Sequence, residues 1–173
     1  RALITKPKYA EAHYNLGVTL QELGRLREAE ARYKQAIKAN ANYAKAHGNL
    51  GIILKELGKT EEAEASYRRA IALKSDFSEA HNNLGNALKE QGRLEEAEAS
   101  YRQAISLESD YAEAHSNLGN TLQELGKLDA AEASLRQSIT LEPNSLESLS
   151  NLGAILQQGG NLEEAEACYR QSV

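Results

Sequence analysis

Three features of the sequence predict an all-α fold built from stacked antiparallel helix pairs. Ala, Leu, Glu and Gln dominate, all good helix formers, and only two prolines interrupt them. The dipeptide Leu-Gly recurs every 34 residues, at Leu16-Gly17, Leu50-Gly51, Leu84-Gly85, Leu118-Gly119 and Leu152-Gly153. A further glycine follows seven residues after each of these: Gly24, Gly58, Gly92, Gly126 and Gly160. A fixed period of this length marks a repeat architecture.

Each unit reads as two helices. In the first, His13, Leu16, Leu20 and Leu23 fall at i, i+3, i+7 and i+10, one stripe of an amphipathic helix. Gly24 ends it, as a residue free to take the left-handed conformation. The second helix runs from about Leu26 to Ala39 and is expected to bury Ala29, Tyr33, Ala36 and Ile37. Its alanine returns at Ala63, Ala97, Ala131 and Ala165, and its aromatic at Tyr67, Tyr101 and Tyr169, with Leu135 as the exception. Gly17, Ala29 and Ala36 are the small residues at which neighbouring helices can approach most closely.

Between units stands Asn42, Asp76, Asp110 or Asn144, each suited to an N-cap. Glu79, Glu113 and Glu147 follow three residues after the last three of these, in a capping-box pattern, whereas Lys45 leaves the second unit with a weaker cap. Residues 1–9 match the end of a preceding repeat. Residues 10–43, 44–77, 78–111 and 112–145 are four full repeats, and 146–173 is a fifth cut short, all in one solenoid. The chain opens on Arg1 and stops mid-pattern at Val173, so a piece of a longer protein is expected.

The 34-residue period and the Leu-Gly…Ala…Tyr…Ala skeleton resemble the tetratricopeptide repeat (TPR) over essentially the whole chain. Pro7 and Pro143 occupy the family's usual proline place near the end of the second helix, while Ala41, Ser75 and Ser109 depart from it. The resemblance implies a right-handed superhelix whose first helices line the concave face, and a non-catalytic module that binds proteins or peptides. The phrase EAHNNLGNALKEQG from Glu79 to Gly92 returns as EAHSNLGNTLQELG from Glu113 to Gly126. This phrasing looks like the TPR superhelix of O-linked N-acetylglucosamine transferases and their bacterial SPINDLY-type relatives. There the array precedes the catalytic domain and recruits protein substrates, which would make this chain the recruiting arm of a larger glycosyltransferase-like protein.

Charge and composition narrow the partner. A formal charge of −5, with both signs interspersed and no basic block, argues against nucleic acid. No apolar run approaches the roughly 20 residues of a membrane span, and nothing resembles a signal peptide. The single cysteine, Cys168, excludes an internal disulfide and suits a reducing, cytoplasmic compartment. It aligns with Arg32, Ser66, Ser100 and Ser134, a polar and tolerant place.

No catalytic or cofactor motif is present. His13, His47, His81 and His115 share one repeat position. Helices pack about 8–10 Å apart, whereas zinc requires nitrogens at about 2.0–2.1 Å, so this ladder cannot share a metal. A partly buried packing role is expected for the four. The linker aromatics Tyr9, Tyr43, Tyr111 and Phe77 are expected at repeat junctions.

The candidate site is an asparagine series. Asn15, Asn49, Asn83, Asn117 and Asn151 recur without exception, each just before the buried leucine and about 100° off the apolar stripe. Beside them, three residues on, come Val18, Ile52, Asn86, Asn120 and Ala154, with Asn82 adding a further amide. Asn is a mediocre helix former, so its repetition asks for a reason. A carboxamide both donates and accepts, and a ladder of them can hold an extended peptide by its backbone. The competing explanation is a helix–helix hydrogen bond or inherited consensus. Glu22, Glu56, Glu90 and Glu124 would tint the same face acidic, and Lys55 and Lys89 would modulate side-chain preference.

TPRs that clamp a C-terminal carboxylate use two lysines, two asparagines and an arginine over three repeats. Units one to three offer Tyr14, Val18, Asn49, Glu79 and Asn83 at those places, and units three to five offer Asn82, Asn86, Asn117, Glu147 and Asn151. Neither set holds a cation, so no such clamp is expected. A rival function is structural: faces left unmatched at Leu3, Ile4 and around Tyr169 could stack on other copies of the chain.

Overall fold

The computed structural model describes residues 7–172. Among these are ten α-helices and no strand: α1 (Pro7–Glu22), α2 (Leu26–Ala39), α3 (Ala44–Glu56), α4 (Thr60–Leu73), α5 (Ser78–Glu90), α6 (Leu94–Leu107), α7 (Ala112–Glu124), α8 (Leu128–Leu141), α9 (Leu146–Gln158) and α10 (Leu162–Gln171). Two compact units divide the chain inside α5, one up to Ala87 and one from Leu88. In the first, α1 packs on α2, α2 on α3 and α3 on α4. In the second the same order runs through α6, α7, α8, α9 and α10, and α7 also touches α9.

Most of the expected core is present, although Ile37 is only half-buried. Ala29, Tyr33 and Ala36 of α2 have no exposed surface, and Ala63, Tyr67 and Ala70 repeat them in α4. In the second unit Ala97, Tyr101 and Ala104 do the same, as do Ala131, Leu135 and Ser138. Bulky side chains of the second helix lie against a glycine of the preceding helix. A Cβ at Gly17 would stand 2.7 Å from the Tyr33 ring, and one at Gly51 2.5 Å from the Tyr67 ring. Gly119 meets Leu135 and Gly153 meets Tyr169 in the same way, at 2.6 and 2.8 Å. These separations are shorter than any van der Waals contact, so only glycine admits the approach.

The turn between paired helices has a different requirement. Gly24, Gly58, Gly92, Gly126 and Gly160 all have φ between +71 and +81°. Around Gly24 the amide of Arg25 reaches the carbonyl of Leu20 and that of Gly24 reaches Gln21, the crossed bonds of a Schellman motif.

Ion pairs join one repeat to the next. The Glu30 carboxylate accepts from Lys34 one turn on at 2.6 Å and from Lys59 of the following repeat at 3.1 Å. Glu98 does likewise with Arg102 at 3.0 Å and Lys127 at 2.7 Å. The bond from Lys34 to Glu30, and that from Lys127 to Glu98, hold these carboxylates below their usual range.

Several expectations need correction. Asn42, Asp110 and Asn144 do not cap: the N-cap residues are Tyr43, Tyr111 and Ser145, one place later. The three instead occupy the third position of tight turns closed from Tyr43 N to Asn40 O, Tyr111 N to Glu108 O and Ser145 N to Glu142 O, where Asn and Asp are at home. Of these three N-cap residues only Ser145 makes a side-chain cap, to Ser148 N. Glu79, Glu113 and Glu147 lie in first helical turns, where their charge favours the helix dipole.

Leu16 and Leu23 do not join the buried stripe; they are 42% and 63% exposed. No helix precedes α1 among the described residues to cover Leu16, and Leu23 lies beyond the last helical residue. Cys168 is buried rather than set in a polar surface, and burial pushes its thiol up. Among the described residues helix α1 already includes Pro7. Leu3 and Ile4 lie outside the described residues.

The two kinds of glycine are expected to fail differently. Gly51→Ala should cost about 1–3 kcal/mol through overpacking, and a cycle with Tyr67→Ala should show strong coupling. Gly58→Ala is strained whatever its neighbours, so the same cycle should be additive. Thermal denaturation of the single and double variants measures both.

Candidate functional site

The asparagine series lies on the first helix of each pair. Asn15 is exposed, whereas Asn49, Asn83, Asn117 and Asn151 are half-buried beside leucines that are 3–6% exposed. In the first unit the Asn49 amide nitrogen donates to the hydroxyls of Tyr14 and Tyr33, each at 3.3 Å. The Tyr33 hydroxyl passes the chain on to Gln21 at 2.8 Å. Asn49 is therefore held by its NH2 group, and none of these bonds uses its carbonyl oxygen.

In the second unit the amides are tied to one another. Asn151 donates to the Asn120 oxygen at 2.6 Å, and the Asn120 nitrogen donates to Glu147 at 3.0 Å. Asn117, on α7 with Asn120, is half-buried and lends its backbone carbonyl to Thr121 at 2.8 Å; Asn83 and Asn86, on α5 in the first unit, are half-buried as well. Asn82 is the exception. It has no exposed surface, and the same repeat place is buried at Gly48 and Ser116. Asn82 itself presents no surface to a ligand here, although Tyr14 and Gly48 of the same column border the cleft described next.

A cleft of about 270 Å³ opens in the first unit, with Asn49 and Asn83 both on its lining. Helix α3 contributes Lys45, Gly48, Asn49 and Ile52. Glu79, Ala80 and Asn83 come from α5, Tyr14 from α1, and Phe77 from the turn before α5. The Tyr14 ring is itself held against Tyr43 at 5.0 Å and Tyr33 at 5.8 Å between centroids. Lys74 stands 5.0 Å above the Phe77 ring. Most of these wall residues are not apparent from the asparagine period. The available signal was Gly48, the one glycine in a column that otherwise holds Tyr14, Asn82, Ser116 and Ser150.

The glutamates expected to tint this face, Glu22, Glu56, Glu90 and Glu124, are all exposed. Glu124 is paired with Lys89 at 3.0 Å. Among the described residues no group of three or more His, Cys, Asp or Glu side chains could hold a metal ion. No helix among them is long and apolar enough to cross a membrane.

The histidines have a role that spacing alone did not reveal. The ring Nε2–H of His47 donates to the Ala41 carbonyl at 3.2 Å, that of His81 to Ser75 at 3.2 Å, and that of His115 to Ser109 at 3.1 Å. Each pins a first helix to the turn that leads into it. His13 lacks this bond: its buried Nε2 has no partner among the described residues, because α1 takes up Pro7, the equivalent carbonyl, as its first residue. Its ring stands edge-on to Tyr9, with centroids 4.5 Å apart.

Models of one repeat family match the chain almost throughout. A model described as "TPR repeat" covers residues 53–92 and 85–126, and models described as "Tetratricopeptide repeat" cover 10–43, 33–65 and 110–173. No curated protein matches the sequence. Among solved structures, pilF of Pseudomonas aeruginosa is similar with a TM-score of 0.88 and 23% identity, over 95% of this chain and 75% of its own. MamA gives 0.82 and 24% over 90% and 91%, and YrrB gives 0.78 and 21% over 99% and 91%. YrrB is described as a TPR protein with an unusual peptide-binding site. At these identities the likeness shows the fold.

Burial lowers the pKa of His47 and His81 below the ordinary 6.5, outweighing the carbonyl bonds that raise it. A depressed folded-state value means that the stabilisation is complete above about 6.5 and is lost as pH falls through the folded values. Thermal midpoints should therefore decline from pH 7 towards 5.5, before carboxylates begin to titrate. The variant His47→Gln with His81→Gln, which cannot titrate, should show a flatter profile over that range.

Proposed function

The chain belongs to the tetratricopeptide-repeat family, and we propose that it is a non-catalytic binding module whose first helices hold an extended protein segment. One observation carries this reading: the cleft of about 270 Å³ in which two ladder amides, Asn49 and Asn83, stand among apolar walls. Amides at helical intervals complement a peptide backbone in both donor and acceptor sense, and the apolar surface between them supplies binding energy. The net charge of −5 favours a protein partner over nucleic acid. The peptide-binding site named for YrrB gives the reading a precedent on this fold. Its narrower form, a recruiting arm of a larger glycosyltransferase-like protein, rests on the EAHNNLGN phrasing alone.

Asn49→Ala combined with Asn83→Ala should weaken an extended peptide partner by roughly tenfold, since each net hydrogen bond contributes about 0.5–1.5 kcal/mol. Titration calorimetry measures this, and an unchanged affinity rejects the amide ladder as the grip.

A structural reading is favoured by a different surface. An open cleft of about 550 Å³ lies on α9 and α10, lined by Gln157, Leu162, Ala165 and Tyr169, and Leu162 is 63% exposed. A second copy could stack on this face and so organise a larger assembly. Sedimentation should then show a molecular weight that rises with concentration, whereas a monomer throughout discards the assembly role.

A further inference from the structure

Building on the peptide-binding reading, we propose that the cleft of the first unit is a pocket for one bulky apolar side chain of the bound segment, of the leucine, isoleucine or phenylalanine class. Its size fits one side chain. Small-molecule sites run from about 300 to 1,000 Å³, whereas an apolar cavity of about 150 Å³ already accepts benzene; this cleft is about 270 Å³. Its walls fit too. Ile52, Phe77 and Ala80 present carbon, and Gly48 keeps the floor clear: a Cβ there would lie 3.2 Å from the Phe77 ring.

The chain carries an internal comparison two repeats further on. There the places of Gly48, Ile52, Phe77 and Ala80 are taken by Ser116, Asn120, Ser145 and Ser148. Every apolar wall has become polar, and the polar atoms satisfy one another. Ser148 Oγ donates to Ser116 at 3.1 Å, accepts from Ser145 at 3.0 Å, and shares a hydrogen bond of 2.9 Å with Ser138. Asn120 is engaged at both ends, by Asn151 and Glu147. An apolar side chain gains nothing at such a place, because entering it would leave buried polar groups unpaired. The same repeat geometry thus yields one apolar cleft and one hydrogen-bonded knot.

Charge sharpens the preference. Lys45 and Glu79 at the first cleft have opposite signs, and their counterparts Glu113 and Glu147 are both acidic. The first cleft therefore suits an apolar residue with an acidic neighbour towards Lys45 and a basic one towards Glu79.

The test uses the full 173-residue chain and phage-displayed random dodecamers, followed by synthetic copies of the enriched peptides. These should share one Leu, Ile, Phe or Met position. Alanine at that position should weaken binding by about tenfold or more, the fold-change expected for burying such a side chain. Ile52→Asn installs the residue that the chain itself carries at 120, and should reduce that alanine penalty to about twofold or less. Ile52→Ser is the second variant, and circular dichroism confirms that each is folded. Enriched peptides without a shared apolar position, or an alanine penalty undiminished in the folded variants, overturn the pocket. If those peptides still weaken on Asn49→Ala with Asn83→Ala, the backbone grip stands and only the pocket falls. No enrichment at all overturns both.

Discussion

The contact of a second-helix ring with a first-helix glycine sets the geometry of every repeat in which it is seen. Tyr33 on Gly17 and Tyr67 on Gly51 bring backbone and ring closer than any side chain would permit. Leu135 on Gly119 shows that an aromatic is not required, only a bulky side chain facing a missing Cβ. Once that approach is fixed, the register of the leucine, histidine and asparagine columns on the first helix follows from 3.6 residues per turn. Packing therefore positions the site.

That arrangement lets neighbouring clefts differ. The columns at 48, 52, 77 and 80 face a cleft, and they carry apolar residues in the first unit and hydroxyls or an amide two repeats on. Neither set disturbs the ring–glycine contact. Nor does it involve the ion pairs by which Glu30 and Glu98 each join a helix to the turn of the next repeat. The histidines add a third independent link, from the first helix to its own leading turn.

Legibility in the sequence followed the same division. Contacts that recur in every unit leave a period, and the helix pairs, the two kinds of glycine and the buried tyrosines could be read from it. Contacts that depend on departures from the period could not. Asn82 looked like a further rung of the amide ladder, yet it has no exposed surface, while Gly48 of the same column borders a cleft, so the period alone does not tell which rung is accessible. Asp110 and Asn144 have the composition of helix caps, and the tight turn shifts the helix start by one residue. Phe77 and Ile52 became cleft walls only when α3 and α5 were brought together, which no local pattern encodes.

The bond from Asn49 to Tyr33 has a consequence for observation. Tyr33 is a core residue whose hydroxyl reaches the cleft-lining Asn49 amide, and Tyr14 offers that amide a second hydroxyl. The chain has eight tyrosines and no tryptophan, so phenol emission is not masked by indole. An occupant that turned Asn49 would alter the hydrogen bonding of two of those phenols at once. The protein thus carries its own optical label, wired from the surface into the core, with no dye to attach.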